Sequence, residues 1–481
     1  MFTKSHDYSQ KKIILMITTT VFSFSSMANS FYLMGTAAIP WFLVTAICFF
    51  IPYAFIIAEY SYRYKEQTAG IYSWLKDTLP LPIVYIATFI WYSSYTIWLV
   101  SLSLKLWIPF SIFLFGQDLT QRAAISVTIS NRFLLGLLSI LAIFLLTWFV
   151  SRGFQKLTTF IILGGRLILV LFIVALTSHL ILFFKLPDNS FNPLTTHSLL
   201  NSPNPAYQSS LGNLSFFIFG ITAYGGLDTI ASLVDQLSQR KNHFAKAVSV
   251  SSFLVAGLYL SGVLLWSTTT SWSDIFTHSH VNLGNAMYVL MENLGVRLGE
   301  TLGFPPKQAF RLGQLFLRLN GLTLFITYLG LLSTISYSPL KTLVFALSKQ
   351  TIIPKKAYWI QASVVSLFIL LISSGEQGIN QLYNQLTLMT SVSRSLPYLF
   401  LAWNFYYFRQ NQAEFIFLKN KKLALLASFS VTVSVLFALG FTLLTPFLAG
   451  DYETFFFLLL GPCVFSVVGL GVWGLRKIKP L

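Results

Sequence analysis

Charge is what this chain has least of. Only 10% of its 481 residues are Asp, Glu, Lys or Arg, against about 25% in an ordinary soluble domain, so most of the chain must meet lipid or other lipid-bound helices. Acidic residues are the scarcer sign, 15 against 32 basic ones. Cysteine is almost missing. Cys48 and Cys463 both fall in apolar runs and read as small packing residues, which leaves neither a disulfide framework nor a thiolate metal site. His278 and His280 stand two apart on a polar connection with no Cys nearby, and no metal is assigned to them. The chain has no HExxH, no Ser-centred nucleophile elbow and no acidic metal cluster, so an integral-membrane enzyme lacks its chemistry. No cofactor is expected. Pro-rich linkers and low-complexity tracts are also missing, and residues 1–481 read as one transmembrane domain.

What the chain does have is apolar length, with 55% hydrophobic and 16% aromatic residues. The runs are near the roughly 20 residues that a spanning helix needs, not the alternating ten-residue segments of a barrel. The predicted class is therefore an all-α integral membrane protein. Twelve spans are expected, at 13–34, 38–60, 81–104, 133–150, 157–184, 211–235, 247–270, 309–335, 357–374, 381–407, 424–447 and 454–475. The first is read as retained, although Lys11 and Lys12 before a run ending at Ser26, Met27 and Ala28 imitate a cleavable leader.

A net charge of +17 would suggest nucleic acid if it formed one patch. It does not. With the amino terminus inside, alternate connections carry Arg63, Lys65 and Lys76; Arg152 and Lys156; Arg240, Lys241 and Lys246; Lys341, Lys349, Lys355 and Lys356; Arg409, Lys419, Lys421 and Lys422; and the tail Arg476, Lys477 and Lys479. That is the positive-inside pattern, with both termini cytoplasmic, and no nucleic-acid partner is expected. The longest external connection, 271–308, holds an amphipathic stretch from Asn282 to Glu300 that reads equally as a lid or as an interfacial spacer.

Two spans are interrupted by small and polar residues. Ser23, Ser25, Ser26, Asn29 and Ser30 break the first, and Gly220, Thr222, Gly225 and Gly226 break the sixth ahead of Asp228. Small residues also mediate close helix packing, but a pair of breaks five helices apart points to an inverted-repeat transporter with a site near mid-membrane. Unwinding frees backbone groups that lipid cannot satisfy and a ligand can. Charges inside spans are functional candidates because each costs about 2.5–3.5 kcal/mol to insert. Asp228 could accept a proton, pair with a cation, gate the path or cap the helix that follows the break; Ser232 and Asp235 extend its face. Arg166, Arg318 and Arg394 are the embedded cations. Arg394 could meet Asp228 or a substrate carboxylate, or simply snorkel. Asn320, Thr323, Thr327 and Thr334 share a face, and Ser333 with Thr334 could hold Na⁺, an idea that Arg166 opposes if it reaches the same place. Trp91, Tyr95 and Trp98 also share a face, suited to a ligand or a cation, with core packing as the default.

The broken first span, the run PYAFIIAEYSYRY followed by GIYSWLKD, and the run FGITAYGGLDTIASLVD resemble the amino acid, polyamine and organocation (APC) transporter superfamily, and within it the glutamate and γ-aminobutyrate antiporter-like branch. The resemblance implies a LeuT-like fold: inverted five-helix repeats at about 13–184 and 211–407, with peripheral helices at about 424–475. It implies an amino-acid-like substrate held between Ser25, Ser26, Met27, Ala28, Asn29 and Ser30 on one side and Ile221, Thr222, Ala223, Tyr224 and Gly225 on the other, with Trp98 beside them. Coupling or gating would fall to Asp228, Arg166 and Arg394. Transport would run across the bacterial inner membrane by alternating access, as antiport or with H⁺, the alternative being Na⁺ symport. Asp228 stands where the family pattern has the longer Glu.

Overall fold

The computed structural model describes residues 8–67, 70–121, 131–186, 194–237, 242–277, 281–375, 379–411 and 415–478, and among them all regular structure is helical. The main elements are α1 (Gln10–Val21), α2 (Phe24–Met34), α3 (Ile51–Arg63), α4 (Leu81–Lys105), α5 (Asn131–Val150) and α6 (Phe154–Lys185). Then come α7 (Phe217–Ala223), α8 (Leu227–Ala231), α9 (His243–Thr269), α10 (Ala286–Thr301) and α11 (Pro306–Ser348). The chain closes with α12 (Lys355–Ser373), α13 (Ile379–Asn411), α14 (Lys421–Leu448) and α15 (Tyr452–Ile478). Ten segments among the described residues are long and apolar enough to cross a membrane.

Burial separates the centre from the rim. In the interrupted segment Ser210–Ala231, 78% of the most apolar window is buried within the protein, against 28% in α5. The outer face of α5 shows why: Leu137, Leu141, Leu145 and Trp148 recur at helical spacing and are 44–61% exposed, a stripe suited to hydrocarbon. Against the broken elements pack α3, α6, α9, α10, α11, α13 and α14, while α15 lies outside them against α4, α13 and α14.

Local irregularities are satisfied by neighbours, as a low-dielectric setting demands. A π-helical turn, Ala46–Phe50, precedes α3, and the Cys48 carbonyl within it accepts from the hydroxyls of Ser430 (2.6 Å) and Ser434 (3.3 Å) on α14. Buried Glu59 on α3 accepts the backbone N–H groups of Ile416, Phe417 and Leu418 at 2.6–3.0 Å, tying α3 to the chain entering α14. The amphipathic stretch after 282 forms α10, whose Met287, Leu290, Met291 and Leu294 are buried, with α11, α6 and α2 packed against the helix. Arg318 lies on the outside of the helical bundle, away from the cavity between the breaks. It is exposed and donates to the carbonyls of Phe113 (3.3 Å) and Leu114 (2.9 Å), answering unsatisfied acceptors at a helix end. His278 and His280 lie outside the described residues.

Candidate functional site

The first break is two residues of extended backbone. Phe22 and Ser23 leave helical geometry between α1 and α2, and the Ser23 hydroxyl caps α2 by accepting from the Ser26 N–H at 3.2 Å. The second break is Tyr224–Gly226, between α7 and α8. Gly226 has φ +108°, a conformation that glycine adopts freely. Gly225 is required by close approach: a Cβ there would stand 2.3 Å from the Tyr398 hydroxyl and 2.7 Å from an Arg394 nitrogen.

One side chain joins the breaks. The buried Tyr259 hydroxyl accepts from the Ser23 N–H at 3.0 Å and donates to the Ala223 carbonyl at 2.8 Å. Two backbone groups freed by unwinding are thereby satisfied by a single phenol. Tyr259 was not singled out in the sequence because nothing near it is unusual; its partners lie 36 and 236 residues away.

The expected aromatic face of α4 holds charges. Trp91 and Tyr95 donate to one Asp228 oxygen at 2.5 and 2.8 Å, and Trp98 lies under the Arg394 guanidinium at 3.8 Å from ring centroid to Cζ. Trp91 and Tyr95 are buried core residues, as the default reading expects, and both also serve Asp228, while Trp98, packed against the core, meets the cation. Asp228 is fully buried and stands in the first turn of α8, whose cap is Gly226, so it is not the helix cap. Arg394 is 6% exposed and does not snorkel. The two charges form no ion pair: the second Asp228 oxygen and the Nε and Nη2 of Arg394 have no hydrogen-bond partner among the described residues.

A cavity of about 120 Å³ opens between the breaks. Of the predicted residues, Ser25, Ser26, Asn29, Thr222, Ala223, Gly225, Trp98 and Arg394 line it. Met27, Ala28, Ser30, Ile221 and Tyr224 do not, because they lie on the opposite sides of their short helices and face protein. Met27, for example, packs into the space over Gly262 of α9. Arg166 is exposed and does not reach the cavity; Gly164 and Gly165 face inward against Thr327 and Thr19, which turns the next residue outward. Ser333 and Thr334 also fall outside the lining, and each hydroxyl donates to its own helix four residues back. Sequence reading missed Lys105, Tyr328, Thr390 and Ser391, all of which contribute to the wall.

A second cavity, about 500 Å³, lies beside this one, and Phe219 and Ser391 line both. Beyond α8 the packing is closed instead. Lys341 grips both oxygens of Asp235 at 2.7 and 2.8 Å, Ser232 bonds Ser338, and Gln236 donates to the Tyr337 hydroxyl at 3.1 Å.

Two interrupted helices facing a common polar cavity inside an apolar helical bundle are the architecture of a membrane carrier. The chain belongs to the amino acid permease family, whose pattern covers residues 8–465, and is a transporter rather than an enzyme. It is 38% identical to the inner membrane transporter YjeM of Salmonella typhimurium and 36% identical to YjeM of Escherichia coli K12, each over 96% of this chain and 94% of the relative. It is also 25% identical to the aspartate/glutamate permease AcaP of Lactococcus lactis, over 85% of this chain and 81% of that protein.

Proposed function

We propose that this protein carries amino acids or their close derivatives across the bacterial inner membrane by alternating access, holding the substrate between the two helix breaks. The observation that carries the reading is the cavity itself, walled by both breaks and fastened across them by Tyr259. The names of the relatives, inner membrane transporters and an aspartate/glutamate permease, support both the substrate class and the location.

Twelve crossings fit the helices best. Gln10–Arg63 is 54 residues, about 80 Å at 1.5 Å per residue, more than twice the hydrocarbon thickness of about 30 Å. It turns at Gly35–Ala37, where Gly35 has φ +58°, into two apolar stretches each long enough for a span, whereas α11 is one unbroken helix, and the 33-residue α13 adds another to the ten apolar segments. Two five-helix repeats at 13–184 and 211–407, followed by peripheral helices at 424–475, then place one break at the start of each repeat. Both termini face the cytoplasm by the charge alternation.

Access from one side supports alternation. The wider cavity is separated from the site only by shared wall residues, Phe219 and Ser391, while Asp235–Lys341 and the bonds around it shut the opposite face. Proton coupling is supported by Asp228, a buried carboxylate with one oxygen unpartnered among the described residues. Counterflow tests the proposal: proteoliposomes are preloaded with unlabelled amino acids and uptake of labelled ones is followed with and without a pH gradient. Accumulation that depends on the preload supports exchange. Folded protein that moves no amino acid under any gradient overturns the reading.

A further inference from the structure

We propose that the cavity takes an acidic amino acid, its side-chain carboxylate on Arg394 and Lys105 and its α-carboxylate at the start of α2. This rests on the cavity being the substrate site. Its lining contains two cations and, among the described residues, no Asp or Glu. Trp98, Ser101 and Lys105 recur at i, i+3 and i+7 along α4, so the Lys105 ammonium shares the wall that supports Arg394.

Arg394 is the second, independent observation. Its guanidinium is buried, fixed over Trp98 at 3.8 Å, and has two nitrogens without a partner. Unmet donors in such a setting are unfavourable. Asp228 does not relieve them: one of its oxygens goes to Trp91 and Tyr95, and the other is not bonded to Arg394. A carboxylate entering the cavity would, because it accepts two parallel N–H bonds from a guanidinium whose plane is already set.

The other anchor is backbone. Of the first four N–H groups of α2, that of Ser26 goes to the Ser23 hydroxyl and that of Met27 to the Ser23 carbonyl. Those of Phe24 and Ser25 have no acceptor among the described residues and stand at the positive end of the helix, with Ser25 in the cavity wall. A neutral amino acid fills one anchor and leaves Arg394 unmet. A basic one adds a third cation.

The test uses the full chain in proteoliposomes preloaded with mixed amino acids, with labelled L-glutamate and L-aspartate entering against unlabelled competitors. Their amides, L-glutamine and L-asparagine, match them in shape and lack the second charge. The acids are expected to enter and to compete at least tenfold better than the amides. Arg394→Gln should cut that preference at least tenfold, and Lys105→Gln should shift it the same way by less. Exchange of neutral or basic amino acids, with glutamate and aspartate neither entering nor competing, overturns the acidic assignment and leaves transport standing. An equal loss for acid and amide in Arg394→Gln also overturns it. If nothing exchanges, binding decides separately: L-glutamate, and not L-glutamine, should raise the melting temperature of the purified protein, and no difference between them overturns the proposal.

Discussion

Asp228 and Asp235 stand seven residues apart on either side of a helix interruption, and the protein handles their charges in opposite ways. Asp235 meets Lys341 directly, with both carboxylate oxygens engaged. Asp228 has a cation in its neighbourhood and no contact with it, and takes neutral donors instead. A closed pair fixes geometry. A carboxylate held by Trp91 and Tyr95, and a guanidinium held over Trp98 with Tyr95 next to it, are not bonded to each other, which leaves both free to respond to a ligand or a proton. Transport needs both behaviours, a latch on one face and an adjustable site beside it, and the contrast supports assigning them to these two layers.

The largest effect should come from the latch. Asp235→Asn leaves the buried Lys341 ammonium uncompensated and should cost about 3 kcal/mol, the range for breaking a buried pair. Melting followed by tryptophan fluorescence in detergent would register it, and the exchanged pair Asp235→Lys with Lys341→Asp should recover part of the loss. Asp228→Asn serves as the contrast. The amide oxygen still accepts from Trp91 and Tyr95, so stability should change by less than about 1 kcal/mol. Equal destabilisation by the two variants would end the distinction between the layers.

Next in size is Tyr259→Phe. Removing the hydroxyl leaves the Ser23 N–H and the Ala223 carbonyl unanswered, a cost of about 1–3 kcal/mol for a buried group. Because the phenol spans both breaks, the loss should appear in transport as a raised KM as well as in the melt. A melt that drops with KM unchanged would make Tyr259 a packing residue and detach the breaks from each other.

The elements legible in the sequence were those that composition dictates locally. Apolar runs predict most helices within a few residues of those observed, α11 excepted because it runs on past the expected end at 335 to Ser348, and Ser, Gly and Asn clusters mark the breaks, because unwinding requires such residues where it occurs. Pairings across the chain were not legible. Nothing local says that Trp91 finds Asp228 137 positions on, or that Lys105, at the end of an apolar helix, turns into the cavity. Arg166 shows the reverse failure. A charge after two glycines looked functional, but the glycines are the inward-facing residues and the helical step carries the arginine out. A polar cluster read as one segment takes in Met27, Ala28 and Ser30, whereas α2 resumes helical periodicity at once and shows the cavity only one face.

Coupling sharpens the contrast where stability does not. Asp228→Asn imitates the protonated acid permanently, so uptake driven by a pH gradient should fall at least tenfold while exchange between preloaded and external substrate continues. The equivalent change at Asp235 should instead weaken closure of the face beyond α8, raising efflux of preloaded substrate without an external partner. Loss of exchange and of gradient-driven uptake together in Asp228→Asn would move that residue from coupling into substrate binding.

The smallest effect separates the two aromatic supports. Trp98 touches Arg394 through its ring face alone, and a cation over a ring contributes about 0.5–2 kcal/mol according to its desolvation. Trp98→Leu keeps the apolar bulk and removes the attraction, so the guanidinium loses its fixed plane while keeping its charge. KM for exchange should then rise several-fold with kcat little changed, and Trp98→Phe should fall between the two. Trp91→Phe removes a hydrogen bond to Asp228 and should act on the pH dependence of uptake in preference to KM. If the two substitutions gave the same signature, the carboxylate and the guanidinium would be working as one coupled pair despite their separation, and the site layer would differ from the latch only in distance.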